Sequence, residues 1–393
     1  MKRLPHDETT LFPQLHVKKL CPSPMQLPPE VKAQLQAQKQ NCIFCKIVAK
    51  QQKANIIFED SLSIATLDIY PAVKGHTIFM LKEHYPIMPY IPVQEFEHFF
   101  GLMPQFSKII KEAMVTLAIN IFIANGGVAG QQSTHFLVHL LPRESGDTFW
   151  NFMLKEHVSL GDKETSLLAN GLAQLMATHF KRYPAAWHQG PGDKPAFLQG
   201  IQGTAIYEDE KILVVVPEKG AVAGHIVVYS KGEQSDFAKL SADDSVHMFY
   251  VASFAATAVF EGLRAQGTNI ILKSGKSEDS SEGRLAVHIL PRYPDDSLQE
   301  LFWQMKPPSY DLEDVAAKIK DKTWKIHLKK DEKDKKDMKK SVPVLEAKKA
   351  EAALQEVLQD RGVSKRTSLK STSLKGTNKS PRDEIRAAME KLR

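Results

Sequence analysis

The chain is built from two copies of one pattern, because four segments recur at a constant spacing of 149 residues. Each segment has similar residues at the same places in both copies. The matched pairs are Ile57–Asp60 with Ile206–Asp209, Gly75-His76 with Gly224-His225, Asn120-Ile121 with Asn269-Ile270, and His139–Arg143 with His288–Arg292. A repeat of this length has the size of a whole domain, so we expect two copies of a single domain.

The rest of the sequence divides around these copies by composition. A proline-rich segment precedes the first copy, a helical pattern connects the copies, and a charged segment follows the second. We therefore predict an N-terminal extension over 1–40, a first domain over 41–150, a helical connector over 151–198, a second domain over 199–305 and a basic, largely disordered tail over 306–393.

Hydrophobic patterning inside the first copy predicts a mixed α and β fold. Short alternating or apolar runs are typical of strands, and one long run with helical apolar spacing is typical of a core helix. The predicted strands cover 54–59, 62–67, 77–81, 121–124 and 136–141, and the predicted helix runs from Val93 to about Leu117.

Composition excludes several classes of protein. The apolar fraction of 42% and the aromatic fraction of 8% are those of a globular protein. No run approaches the roughly 18 uninterrupted apolar residues of a membrane-spanning helix. The three cysteines, Cys21, Cys42 and Cys45, are too few for a disulfide framework, so we expect a reducing compartment and a cytoplasmic location.

The net charge of +6 comes from the C-terminal segment. Residues 328–393 hold 19 lysines and arginines against 11 acidic residues, whereas the rest of the chain holds 33 against 35. Such a segment suits contact with RNA or a ribonucleoprotein, but it lacks the interleaved aromatic residues that stack on bases. A solvated tail with no nucleic-acid partner explains the same composition.

The stretch Gln131–Arg143 carries the most specific pattern in the sequence. It contains His135, Leu137 and His139 in an alternating run that ends in Pro-Arg. Alternate residues of a strand point to the same face, so these three side chains share one face.

This stretch resembles the signature of the histidine-triad (HIT) family, in which three alternating histidines follow Gly-Gln. Gly130-Gln131 and the first and third histidines are present, but Leu137 stands at the middle position and Ala286 does so in the second copy. The resemblance implies an α+β fold of two tandem HIT-like domains, each a roughly five-stranded antiparallel sheet with a long helix. Family members pair such domains edge to edge into one continuous sheet. For this chain we therefore expect either an intramolecular pseudo-dimer of the two copies or a homodimer.

The motif Cys42-x-x-Cys45 opens the first domain. By itself it is consistent with a redox pair, two structural thiols or half of a metal site. The resemblance implies that His84 and His135 complete a closed Cys2His2 site for one structural zinc ion. The second copy contains no cysteine and has Arg284 at the position of His135, so no such zinc site is expected there.

A nucleotide pocket is a further implication of the resemblance. Asp68 matches the acidic residue that holds the ribose hydroxyls, and Asn125 and Gln131 match residues that contact phosphate. Asp68 and Asn125 also have an ordinary explanation as turn residues. Nucleotide binding in the second copy is a weaker expectation, because its polar groups differ. The counterparts there are Glu218, Ser274 and Ser280.

The chemistry of the family depends on the middle histidine, which attacks the α-phosphorus of a nucleotide. Leu137 has no lone pair for that attack, and neither has Ala286. His139 is the remaining candidate for a phosphate contact or a general acid, although a lone histidine on such a face is more often a structural residue.

These observations favour a zinc-containing tandem HIT-like protein that binds a nucleotide or a nucleotide-containing ligand with weak or no hydrolysis. Two alternatives stay open. One is a divergent nucleotide hydrolase or transferase of the same superfamily that uses His139 or an external nucleophile. The other is a non-catalytic scaffold that associates with RNA or a ribonucleoprotein through residues 328–393.

Overall fold

The structure is a computed structural model that describes residues 36–337 with several gaps. The gaps are 184–189, 234, 276, 278, 280–283, 295, 297 and 299–300. Most of the predicted N-terminal extension, and the tail beyond Asp337, therefore lie outside the described residues.

The first repeat contains five strands and a long helix in the predicted order, preceded by a short helix. The bounds are α1 Ile43–Val48, β1 Ile56–Glu59, β2 Ser63–Leu67, β3 Thr77–Leu81, α2 Val93–Met114, β4 Ala118–Asn125 and β5 Val138–Arg143. Helix α2 ends before Leu117 because Val115 adopts the left-handed conformation, with a φ of 58°.

Helix α3, Asp162–Arg182, connects the repeats, and the second repeat then reproduces the first. Its bounds are β6 Gly203–Glu208, β7 Ile212–Pro217, β8 Ile226–Ser230, α4 Ala242–Leu263, β9 Gly267–Ser274 and β10 Ala286–Arg292. Side-chain contacts recur with the elements. His98 bonds Asp60 at 2.7 Å, and their counterparts His247 and Asp209 bond at 2.8 Å.

A fifth helix, α5 Leu312–Asp337, lies where composition predicts a charged tail from residue 306. Val315, Ile319 and Ile326 are buried against the core. Ordered structure therefore continues beyond the second repeat, because apolar residues on one helix face outweigh the local charge. The chain divides after Lys330 into a second unit, of which the structure describes the final residues of α5 alone.

The ten described strands form one continuous sheet in the order β1-β2-β3-β5-β4-β9-β10-β8-β7-β6. Each repeat contributes five antiparallel strands, and the repeats join where β4 pairs with β9. In that pairing Phe122 lies opposite Ile271, its own counterpart 149 residues later. A pseudo-twofold axis therefore passes between these two residues, and the tandem repeats form the pseudo-dimer within one chain.

The two faces of the sheet are covered differently. On one face, α2 and α4 pack over a large apolar core that includes Ile121 and Ile270. The opposite face carries Phe122, Ile271 and Leu290, and the segments that follow β5 and β10 cover it in part. We call this second face the histidine face, because the histidines described below lie on it.

Helix α4 is long and strongly apolar. Among the described helices it is the one whose length and mean hydropathy of 1.3 suit a membrane span. In the fold, 67% of that window is buried, which is the environment of a core helix.

Candidate functional site

Four side chains of the first repeat form a cluster that could hold a metal ion, namely Cys42, Cys45, His84 and His135. Cys42 Sγ lies 3.7 Å and Cys45 Sγ 3.6 Å from His135 Nδ1, and Cys45 Sγ lies 3.3 Å from His84 Nδ1. Zn–S bonds of about 2.3 Å and Zn–N bonds of about 2.0 Å at a tetrahedral angle place such donors about 3.5 Å apart. The donor spacing therefore fits a tetrahedral metal ion.

The local structure prepares these donors. The Nε2–H of His135 donates to the carbonyl of Leu81 at 2.9 Å, so its Nδ1 offers a lone pair to the cluster. Burial raises the pKa of the Cys42 thiol, but its contacts with His135 and His84 outweigh burial and lower that pKa to about 4. Burial and the neighbouring Cys42 raise the pKa of the Cys45 thiol to about 12.

His139 forms a hydrogen-bonded pair with His76, with 2.9 Å between His76 Nε2 and His139 Nδ1. The backbone N–H of Ala72 donates to His76 Nδ1 at 3.1 Å. Because His76 Nδ1 accepts, His76 carries its proton on Nε2 and donates it to His139 Nδ1. His139 therefore keeps its own proton on Nε2, on the side of the ring away from the pair.

Both histidines of the pair are neutral near pH 7. Burial lowers the pKa of His76 to about 3. Burial, followed by the neighbouring His76, lowers the pKa of His139 to about 3. A neutral imidazole donates a hydrogen bond to phosphate, but it is not the charged acid that protonates a leaving group. The bond from His76 leaves the Nε2–H of His139 as a hydrogen-bond donor, which suits the phosphate contact considered for His139.

Asp68 lies beside this pair, and the three side chains are close enough to suggest a second metal group. However, Nδ1 of His76 and Nδ1 of His139 already accept hydrogen bonds, so their lone pairs are occupied. The Asp68 carboxylate accepts from the backbone N–H of Tyr70 at 2.8 Å and lies 3.6 Å from His76 Nδ1. The arrangement suits a hydrogen-bonding pocket better than a metal site.

Leu137, at the middle position of the signature, packs in an apolar cluster with Ile47, Ile64 and Met80. Ile47 belongs to α1, the helix that carries Cys45. The position that holds a nucleophile in the family therefore helps to fasten the cysteine-bearing helix to the sheet.

Asn125 and Gln131 both use their amide groups inside the protein. Asn125 accepts from the N–H of Met88 and donates to Thr268 Oγ1, each at 3.2 Å. Gln131 accepts from the N–H of Gly126 at 2.7 Å and donates to a backbone carbonyl at 2.6 Å. These contacts hold the loop between β4 and β5 in place.

Trp303, from the segment after β10, covers the histidine pair of the first repeat. Its ring centroid lies 5.0 Å from that of His76 and 5.5 Å from that of His139, edge-on to both. Its Nε1–H donates to the carbonyl of Tyr70 at 3.3 Å. One wall of the first site is therefore supplied by the second repeat.

Phe302, next to Trp303, extends this cover. Its ring lies against Gly130, where a Cβ would come within 2.1 Å of the ring, so the glycine permits the close approach.

The coverage is reciprocal, because the segment after β5 crosses from the first repeat to the second. There, the N–H of His157 donates to the carbonyl of Gly220 at 2.9 Å, and the N–H of Gly220 donates to the carbonyl of Val158 at 2.7 Å.

The second repeat keeps a matching histidine pair. His225 Nε2 lies 3.1 Å from His288 Nδ1, and the N–H of Ala221 donates to His225 Nδ1 at 3.2 Å. Ser274, a counterpart of the predicted phosphate ligands, accepts a backbone N–H bond at 2.8 Å. Ser280 lies outside the described residues.

Two residues of the first site were not predicted from the sequence. His76 carried a signal, since its Gly-His pair recurs in the second repeat, but the bond to His139 depends on how β3 and β5 pair. Trp303 had no sequence signal, because nothing in its local sequence relates it to a site in the other repeat.

Two five-stranded antiparallel units, each with a long helix and a hydrogen-bonded histidine pair whose second member lies on the signature strand, define a tandem histidine-triad architecture. The family model of the HIT domain matches residues 49–146 and 199–295. An uncharacterised HIT-like protein of Methanocaldococcus jannaschii is 37% identical over 106 residues, which are 27% of this chain and 81% of that protein. The chain belongs to the HIT family.

Two further similarities concern named proteins. Adenylylsulfatase HINT3 of Arabidopsis thaliana is 30% identical over 131 residues, which are 33% of this chain and 66% of that protein. The crystal structure of a zinc-bound histidine triad family protein from Mycobacterium smegmatis is 28% identical, with a TM-score of 0.27, and the match covers 28% of this chain and 81% of that one.

Proposed function

We propose that this protein binds a nucleotide or a nucleotide-containing ligand in its first repeat, with weak or no hydrolysis, and that it contains one structural zinc ion. The observation that carries the proposal is the intact pair of His76 and His139 beside an apolar residue at the nucleophile position. The pair supplies a phosphate donor, whereas Leu137 has no group that can attack phosphorus.

Zinc is the metal proposed for the cluster. Two cysteines and two histidines form a closed tetrahedral set with no position for water, which is typical of a structural ion. Cys42 and Cys45 come from the start of α1, whereas His84 follows β3 and His135 precedes β5. The ion would therefore tie α1 to the ends of two central strands and stabilise the wall of the site.

The nucleotide would lie on the histidine face. His139 would donate its Nε2 proton to a phosphate oxygen, and Asp68 would accept from ribose hydroxyls, because a carboxylate can accept from two vicinal donors. Asn125 and Gln131 would act through the loop they hold, since their amides already have partners in the protein.

Adenylates are the first ligands to test, because the Arabidopsis relative is an adenylylsulfatase. Titration with AMP, followed by tryptophan emission, reports on the first site through Trp303. In Trp303→Phe the emission change should be lost, while calorimetry still detects the bound AMP. No binding of AMP at millimolar concentration to the folded wild-type chain would overturn the proposal.

Matched variants locate the binding. His139→Ala should weaken AMP binding at the first site by about 10-fold or more, the loss expected for one hydrogen bond to a charged group. His288→Ala, the equivalent change in the second repeat, should leave the Trp303 signal unchanged. Equal effects of the two changes on the Trp303 signal would contradict the assignment to the first repeat.

A further inference from the structure

Cys42 and Cys45 are close enough to each other to form a disulfide. Both are free thiols, and their Sγ atoms lie within 4.8 Å of each other. Cysteines at this spacing, Cys-x-x-Cys, cycle between the dithiol and the disulfide in thiol oxidoreductases. The geometry of the cluster therefore permits a disulfide as well as a metal ion.

A small oxidant has access to both thiols. Cys45 is half-buried. Cys42 is 6% exposed, but it lines a cavity of about 500 Å³ between the start of α1 and the loop that precedes β5. The other residues that line this cavity include Asn41, Ile43, Gln132 and Ser133. None of these four side chains carries a charge, so a neutral oxidant meets no electrostatic barrier there.

The cluster joins parts of the chain that are far apart in sequence. Cys42 contacts His135, which lies 93 residues away, and Cys45 contacts His84, which lies 39 residues away. A cross-link stabilises a fold more when it closes a longer loop. A disulfide between Cys42 and Cys45 closes a loop within one turn of the chain. Oxidation would therefore exchange a long-range cross-link for a local one.

The second repeat holds the equivalent segment without sulfur. Pro191 stands at the position that the repeat spacing matches to Cys42, and its carbonyl accepts a hydrogen bond from Lys231. The Lys231 side chain is 3% exposed and pairs with Glu208 at 2.7 Å. Peroxide oxidises neither a peptide carbonyl nor an ion pair. Sensitivity to an oxidant at this position is therefore confined to the first repeat.

We propose that Cys42 and Cys45 form a redox-sensitive clamp, in which hydrogen peroxide converts the two thiolates into a disulfide and thereby opens the metal cluster. One thiolate attacks a peroxide oxygen, the O–O bond breaks, and a sulfenic acid forms with loss of hydroxide. The second thiolate attacks the sulfenic sulfur and displaces a second hydroxide. The thiolates together lose two electrons, the peroxide gains them, and both hydroxides take up protons to become water.

Opening of the cluster follows from the loss of donors. The disulfide removes both thiolates, and His84 and His135 alone are too few for the tetrahedral set of a structural zinc ion. The metal ion is released without being oxidised or reduced. Helix α1 would keep the apolar contact of Ile47 with the sheet but lose its link to the two histidines. The disulfide step does not require the proposed zinc, whereas the release of metal rests on that part of the proposed function.

The test is oxidation of the full chain by a small excess of hydrogen peroxide. The parent for the test is Cys21→Ser, in which Cys42 and Cys45 are the remaining cysteines. Both free thiols should disappear, and peptide mapping should find a disulfide between Cys42 and Cys45. A chromogenic chelator should detect about one equivalent of released zinc, and the melting temperature should fall. Dithiothreitol with added zinc should restore the thiols, the metal and the melting temperature.

A matched variant separates the disulfide from other effects of peroxide. Cys45→His, made in the same parent, replaces one thiolate donor with an imidazole donor and leaves a single thiol. The variant keeps four metal donors but cannot form a disulfide within the chain. It should retain its zinc under the conditions that release zinc from the parent. Release at the same rate from both chains would show that the disulfide is not the cause.

Two further results would overturn the proposal. One is that Cys42 and Cys45 stay reduced, or are oxidised to sulfinic acids without a disulfide. The other is that the disulfide form keeps its metal. A chain that purifies without zinc and does not take it up would instead contradict the proposed function. On that metal-free chain, the presence or absence of the mapped disulfide still decides whether the two cysteines form a redox pair.

Discussion

Phe122 of the first repeat is the strand partner of Ile271, its own counterpart in the second repeat. The ring of Phe122 also stacks on Phe152 at 5.4 Å and meets Phe302 edge-on at 5.6 Å. Phe152 belongs to the segment that crosses to the second repeat, and Phe302 to the segment that crosses to the first. The junction of the repeats and the covers of both sites therefore share one small core.

This junction predicts that the two repeats unfold together. Phe122 is 1% exposed, so Phe122→Ala should lower the free energy of unfolding by about 3–5 kcal/mol. Leu117→Ala is the control, because Leu117 is 73% exposed and the change should stay within about 0.5 kcal/mol. Denaturant unfolding followed by tryptophan emission and by circular dichroism measures both. Two separate transitions in the wild type would contradict a shared core.

The Cys/His cluster predicts one zinc ion per chain. Cys45→Ser should lose the metal in elemental analysis and lower the melting temperature, because structural zinc contributes folding energy directly. Cys21→Ser is the matched control and should retain the metal, since Cys42, Cys45, His84 and His135 already supply four donors. Zinc retained in full by Cys45→Ser would show that the ion binds elsewhere.

The buried histidines predict a loss of stability in mild acid. The pKa values of His76, His139 and His225 are about 3 in the folded chain, against an ordinary value of 6.5. Between about pH 6.5 and pH 3 the unfolded chain binds protons that the folded chain does not, so stability falls as the pH falls through that window, by up to about 1.4 kcal/mol per pH unit for each such histidine. Above about pH 6.5 these histidines are neutral in both states, so they do not change the pH dependence of stability.

Melting temperatures between pH 8 and pH 4 test this linkage, with pH values chosen to span the window. The double variant His225→Asn and His288→Asn should show a shallower decline than the wild type. His157→Asn changes an exposed histidine and should leave the slope unchanged. A double variant with the wild-type slope would show that these histidines do not govern the acid sensitivity.

Because Leu137 occupies the nucleophile position of the signature, we expect one substitution there to restore hydrolysis. Leu137→His puts an imidazole beside the His76–His139 pair and should raise hydrolysis of adenylyl sulfate by about 100-fold or more over the wild type, in line with the cost of removing a nucleophile. Release of AMP measures the rate. Ala286→His is the matched control in the second repeat and should stay inactive, because the acidic counterpart there, Glu218, lies one residue away from the position that matches Asp68. Equal rates in Leu137→His and the wild type would show that more than the nucleophile is missing.

Much of the fold is predictable from local patterns. The alternation in β5 and the helical spacing in α2 report burial on one face, so they predict element types with ends that shift by a few residues. The left-handed Val115 that ends α2 has no such signal, because the conformation depends on the turn into β4. The helical stripe of Val315 and Ile319 in α5 is masked by the surrounding charge.

The site is predictable in part, for a different reason. Residue type indicates which hydrogen bonds a side chain can make, but not which partner takes them. The side-chain amides of Asn125 and Gln131 could bind phosphate, but in the fold Asn125 bonds to Thr268 and Gln131 bonds to Gly126. Trp303 reaches the first site because the chain crosses back over the sheet, and no local pattern encodes that path.

The central claim, a nucleotide site without an efficient nucleophile, is tested most directly by two measurements on one wild-type sample. Titration with AMP should show binding at submillimolar concentration with a change in Trp303 emission. Incubation with adenylyl sulfate should release AMP at least about 100-fold more slowly than Leu137→His does. Failure to bind AMP, or rapid hydrolysis that disappears in His139→Ala, would contradict the account.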